Sequence, residues 1–62
     1  MRHVIFKRTT VQGFEVRELN DGTLEAIYLQ TNEAAFRRMT ELVSEGFRLI
    51  DSEVGRMYNY EK

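Results

Sequence analysis

An Asp21-Gly22 step between two β-prone runs, in VRELNDGTLEAIYL, constrains the fold of this chain more than any other feature. A two-residue hairpin loop needs positive φ at both central positions, which Asp-Gly favours. We therefore predict a hairpin in which Asn20 faces Thr23 and Leu19 faces Leu24. If this register continues without interruption, it gathers one apolar stripe on a single face, made of Phe14, Val16, Ile27 and Leu29.

This register has one cost and one rival. The cost is that Glu18 lies opposite Glu25, a pair of like charges. The rival is a three-residue loop over residues 20–22, which shifts the pairing by one and sets Arg17 opposite Glu25. We favour the two-residue loop because its apolar stripe outweighs one exposed charge pair.

After this hairpin the spacing of the apolar residues changes from that of a strand to that of a helix, which predicts a helix over about residues 32–45. Thr31 or Asn32 can cap its start, and Gly46 can end it as the αL residue of a Schellman motif, which brings Phe47 to Leu42. Helical spacing puts five apolar residues on one face: Ala35, Phe36, Met39, Leu42 and Val43.

The flanking segments predict strands. Residues 1–19 can form two strands or one long strand bent at Gly13, and we favour two. After the helix, FRLIDSE predicts a strand, and a Val54-Gly55 turn can bring RMYNYEK back beside it. The expected fold is a single α+β domain over residues 1–62, ordered β-β-β-α-β-β. Its one layer of antiparallel or mixed sheet carries the helix on one face.

Size and composition favour self-association. Folds of 62 residues are marginal alone and commonly rely on disulfides, metals or oligomerisation. The chain has no cysteine and only one histidine, so we expect a homo-oligomer, most simply a dimer, without a cofactor. No apolar run is long enough to span a membrane, and Val4–Phe6 is too short for a signal-peptide core, so we expect a cytoplasmic protein.

The C-terminal stretch VGRMYNYEK contains the most promising binding residues. On a strand, Arg56, Tyr58 and Tyr60 would share one face, and Arg with Tyr is typical of interface hot spots. The alternative is that the two tyrosines cover the end of the core, with their hydroxyls in water. Base stacking is a third use. It ranks below the other two because the net charge is −1.

Nucleic-acid binding is the alternative function. The first 17 residues carry a net charge of +3 and the remainder −4, so phosphate contacts would be confined to one edge. The candidate contacts are Arg2, Lys7, Arg8 and Arg17. A three-stranded sheet followed by a helix is similar to plant AP2-type domains and the arm-binding domains of phage integrases, which read DNA from the exposed sheet face. For Arg37-Arg38 on the helix, we favour pairing with nearby glutamates.

Catalytic and metal-binding residues are not expected. His3 lacks a Cys or second His to work with, and Asp51 with Glu53 is best explained as a solvated strand face. Ser44 and Ser52 lack a nucleophile-elbow pattern. We therefore expect a non-enzymatic protein with no catalytic residue and no metal ligand.

The segment MTELVSEGFRLIDSEVGRMYNYEK resembles a family of very small bacterial proteins whose helix ends in an acidic-Gly-aromatic step, like Glu45-Gly46-Phe47 here. The resemblance covers about the last third of the chain and implies two strands after the helix, but no function. The strand–helix–strand order is similar in architecture to small phage-encoded inhibitors of host RNA polymerase. We thus expect a small protein–protein interaction or regulatory module, self-associating and derived from a phage or mobile element.

Overall fold

Five antiparallel strands and one helix make up the chain in a computed structural model, which describes the backbone of residues 1–62 and every side chain except that of Thr10. The order along the chain is β1 (Arg2–Thr10), β2 (Gly13–Asn20), β3 (Thr23–Thr31), α1 (Asn32–Ser44), β4 (Arg48–Glu53) and β5 (Met57–Glu61). The predicted α+β class is confirmed. Within the described part of the chain, no helix is both long and apolar enough to cross a membrane.

The strands lie in the order β3-β2-β1-β5-β4, and each pairs antiparallel with its neighbours. The chain therefore adds strands outward from β1, first on one side and then, after the helix, on the other. β3 and β4 are the two edges of the sheet. Residues 2–20 form two strands joined by a turn at Val11–Gln12, as favoured from the sequence.

The helix has the predicted caps. The Thr31 hydroxyl accepts from the Ala34 N–H at 3.2 Å and so caps the first turn. At the other end, Gly46 has a φ of 100°, a value that glycine adopts without strain. The Phe47 N–H donates to the Leu42 carbonyl and the Gly46 N–H to the Val43 carbonyl, which are the two bonds of a Schellman motif.

The core lies between the helix and the three central strands. Phe6 is its centre, with its ring edge-on to Phe14 at 6.5 Å and to Tyr60 at 5.9 Å. Among the side chains that the structure describes, nine are buried: Val4, Phe6, Phe14, Val16, Ala35, Met39, Leu42, Phe47 and Tyr60. Neither edge strand contributes to this set.

The predicted helix face is wider than the face that is buried. Ala35, Met39 and Leu42 are buried, but Phe36 and Val43 remain about half exposed. A single helix lies on this sheet, and a helix meets a sheet along only part of its circumference. The outer part of the apolar face consequently extends beyond the contact with the sheet.

The hairpin register is right beside the turn and wrong beyond it. Asp21 and Gly22 have φ values of 51° and 83°, and Leu19 pairs with Leu24 as predicted. The register then shifts, so that Glu18 pairs with Ala26 and one additional residue, Glu25, lies in β3. This is a β-bulge, which shifts all later pairs by one residue.

The bulge overturns the predicted apolar stripe. Val16 pairs with Tyr28 and Phe14 with Gln30, so Ile27 and Leu29 lie on the opposite face from Phe14 and Val16. The bulge also removes the unfavourable pairing of Glu18 with Glu25. The Tyr28 hydroxyl donates to the Glu18 carboxylate, and Arg2 donates to Glu25 at 2.9 Å.

Deleting Glu25 tests the bulge. The pairs on its two sides, Leu19 with Leu24 and Glu18 with Ala26, can then follow each other directly. We expect the shortened chain to fold with a free energy of unfolding lower by about 0–1 kcal/mol, the worth of one exposed ion pair, in urea denaturation.

Deletion of Arg17 is the matched control. β2 pairs with β1 without irregularity from Arg2 to Arg8, so a residue lost there exchanges faces on half of a central strand. We expect that variant not to unfold cooperatively. Cooperative unfolding of both variants, or of neither, would contradict the assigned bulge.

Candidate protein-binding surfaces

Tyr58 and Tyr60 point towards the helix. They lie in β5, which is an interior strand between β1 and β4. Tyr60 is 6% exposed, and its burial raises the pKa of its phenol. Tyr58 is half-buried, with its ring 6.1 Å from that of Phe14, and its hydroxyl accepts from the Gly55 N–H at 3.1 Å. Both rings therefore pack in or against the core, which is the alternative to an interface that the sequence offered.

Arg56 is not on the strand with them. β5 begins at Met57, and Arg56 closes the preceding turn, where its N–H donates to the Glu53 carbonyl at 2.8 Å. The fold thus leaves the Arg56 side chain and the outer part of Tyr58 accessible, while Tyr60 belongs to the core. Binding at this set stays a prediction.

The face of the sheet opposite the helix, here called the open face, has no covering layer among the described residues. Its β3 side contains three exposed aliphatic side chains: Leu24 at 49%, Ile27 at 51% and Leu29 at 75% exposure. We call these three residues the β3 apolar row. The half-buried Leu19 and Ile5 continue the apolar surface towards the centre of the sheet.

The other half of the open face is mostly polar. By strand alternation it contains Asn59 and Glu61 of β5 with Asp51 and Glu53 of β4. Asp51 and Glu53 share this face, as their spacing predicted. The His3 ring lies at the border, with Nδ1 3.3 Å from the Asn59 side-chain oxygen and Nε2 4.0 Å from Glu61. The described residues contain no group of three or more potential metal ligands.

The four basic residues proposed for nucleic acid lie on opposite faces. Arg2 and Arg8 lie on the helix side of β1, while Lys7 and Arg17 lie on the open face. Arg8 donates to the Val11 carbonyl and the Asn32 side chain and lies 4.3 Å over the Phe14 ring. Arg17 donates to Glu15 at 2.8 Å. The structure does not bring these four residues together.

A polar cleft of about 300 Å³ opens where the end of the helix meets the sheet. Four of its charged groups form ion pairs: Arg2 with Glu25, and Arg38 with Glu45 at 3.2 Å. Beside it, burial of the Tyr28 phenol and the nearby Glu18 carboxylate raise the pKa of Tyr28 from 10.0 to about 12. Sequence reasoning missed this pair because the predicted register puts Tyr28 on the opposite face from Glu18, and the bulge brings the two onto one face.

The comparisons identify no relative. Protein-family models, curated proteins and solved structures contain no match to this chain. The case for a function therefore rests on the surfaces described above.

Tyr60→Ala tests the assignment of Tyr60 to the core. Removing a buried aromatic ring leaves a cavity beside Phe6, and we expect the free energy of unfolding to fall by about 3–5 kcal/mol in urea denaturation. Arg56→Ala is the control and should change it by less than about 0.5 kcal/mol. A near-neutral Tyr60→Ala would contradict the buried position.

The Tyr28 phenol offers a pH test. Because its folded-state pKa is raised, it contributes stability that is complete below pH 10.0 and is lost as the pH rises to about 12. We expect Glu18→Gln to lower the pKa of Tyr28 while leaving it above 10.0, because burial, the larger cause, remains. Titration of ¹³C-labelled tyrosine by NMR measures this, with Tyr28→Phe identifying the signal. An unchanged titration in Glu18→Gln would contradict the hydrogen bond.

Proposed function

We propose that this protein is a small, non-enzymatic protein–protein interaction module that associates with a second copy of itself through the β3 side of the open face. One observation carries the proposal. β3 contributes no buried residue to the core, yet it places Leu24, Ile27 and Leu29 next to each other on an uncovered face. Grouped exposed apolar residues rimmed by polar ones are typical of interaction sites.

The size of the domain favours self-association. A single core of nine buried residues in a chain of 62 provides a small margin of stability, and oligomerisation is a common supplement at this size. A second copy can bury part of the β3 apolar row without any further component. The polar half of the open face, with the exposed Asp51 and Glu53, then remains in water.

The proposal of a non-enzymatic role is supported by the uses of the charged residues. In the cleft, the carboxylates of Glu25 and Glu45 are held by arginines, and that of Glu18 by a phenol. Groups paired in this way stabilise the fold and are poorly placed to exchange protons with a substrate.

Nucleic-acid binding is a weaker proposal, because Arg2 and Arg8 lie on the opposite face from Lys7 and Arg17. A binding surface that tracks phosphates would need these cations on one side. Cytoplasmic location and an origin in a phage or mobile element also stay predictions.

Leu29→Lys tests the proposed function. The substitution puts a strongly hydrated charge in the β3 apolar row, and we expect self-association to weaken at least about tenfold, which corresponds to about 1.4 kcal/mol. Sedimentation equilibrium over a concentration series measures it. The free energy of unfolding of the single chain should change little, because Leu29 is 75% exposed.

Val54→Lys is the matched control. Val54 is 92% exposed and lies in the β4–β5 turn, away from the β3 apolar row. The control should associate like the unaltered protein. If Leu29→Lys and Val54→Lys associate equally well, the β3 apolar row is not the interaction surface.

A further inference from the structure

β3 presents an unpaired backbone edge next to its apolar row. It pairs only with β2, so one side of its nine residues has no strand beside it. A strand edge of this kind is a template for pairing with another chain.

The free groups belong to Ile27 and Leu29. The Asn32 N–H, directly after the strand, donates to the Gln12 carbonyl at 3.0 Å. Bond direction alternates along an antiparallel strand, so the N–H and C=O groups of Tyr28 and Gln30 point to β2. Those of Ile27 and Leu29 consequently point to the open edge, beside their own exposed side chains.

The two edges of the sheet differ in how they resist pairing. β4 has a bulge between Leu49 and Asp51 and carries Arg48, Asp51 and Glu53, features that discourage edge-to-edge contact. In β3 the bulge comes at Glu25, and the six residues after it, AIYLQT over residues 26–31, contain no charge, glycine or proline. Uncharged segments of this length with high β-propensity pair readily with copies of themselves.

We propose that residues 26–30 pair antiparallel with the same residues of a second copy, so that Ile27 of one copy lies opposite Leu29 of the other, which joins the two five-stranded sheets into one continuous sheet. The inference rests on the proposed function and specifies its geometry. It commits to a second copy because an antiparallel pair of identical strands is closed by a two-fold axis and ends at a dimer. The absence of charge in this segment means that no like charges meet across the axis.

Pairing also accounts for the position of the apolar row. Side chains directly opposite in an antiparallel pair have Cβ atoms about 4.5–5.5 Å apart. Ile27 and Leu29 of one copy therefore contact apolar side chains of the other on the open face. A five-residue pair is smaller than a standard interface, so the dimer depends on protein concentration.

Chemical synthesis of the full chain with N-methyl-Leu29 tests the pairing. The change removes one donor that points to the open edge but keeps the Leu29 side chain and the bonds to β2. Each dimer loses two hydrogen bonds, so we expect self-association in sedimentation equilibrium to weaken at least about tenfold. N-methyl-Val54 is the control, because a turn tolerates an N-substituted residue at that position, and it should associate normally.

The outcomes separate this inference from the proposed function. If N-methyl-Leu29 associates normally while Leu29→Lys does not, edge pairing is overturned and the β3 apolar row remains the binding surface. If N-methyl-Leu29 and Leu29→Lys both associate normally, the β3 apolar row is not the binding surface either. Hydrogen exchange of the unmodified chain provides a second readout. The Leu29 amide should become more protected as protein concentration rises, and concentration-independent exchange with a dimer present would overturn the inference.

Discussion

The β-bulge at Glu25 is the constraint on which the rest of this structure depends. Side chains alternate along a strand, so one additional residue exchanges the faces of everything after it. Tyr28 turns towards the helix and its hydroxyl reaches Glu18, while Ile27 and Leu29 turn to the open face. Without the bulge, two aliphatic residues would join the core and Tyr28 would lie outside. The extra residue thus leaves Ile27 and Leu29 exposed on the open face, where an uninterrupted strand would bury them.

The central strands and the edge strands of the sheet consequently have different roles. The central strands β1, β2 and β5 provide the sheet residues of the core, and the helix covers them. The edge strands provide none, but they are not equivalent. β4 is charged and bulged, whereas β3 is uncharged after Glu25 and keeps Ile27 and Leu29 beside an open backbone edge. The proposed interaction through β3 rests on where the core ends, which is why we place the binding surface there and not at the C-terminal tail.

Features set by neighbours in sequence could be predicted. Three such features depend only on residues a few positions apart in sequence: the Asp21-Gly22 turn, the Thr31 cap and the Schellman end at Gly46. The bulge could not, because its Glu25 is held by Arg2, which is 23 residues away in sequence. The tail shows the same limit. Alternation correctly put Tyr58 and Tyr60 on one face, but the strand order decides that this face meets Phe6 and Phe14.

The most direct test of this account is which β3 side chain contacts Val16 in solution. A nuclear Overhauser measurement on isotope-labelled protein, at a concentration low enough to keep single chains, separates the two registers. The bulged register predicts contacts from the Val16 methyl groups to the Tyr28 ring and none to Ile27. Contacts from Val16 to Ile27, with the Tyr28 ring in water, would show an uninterrupted hairpin and would remove Ile27 and Leu29 from the open face.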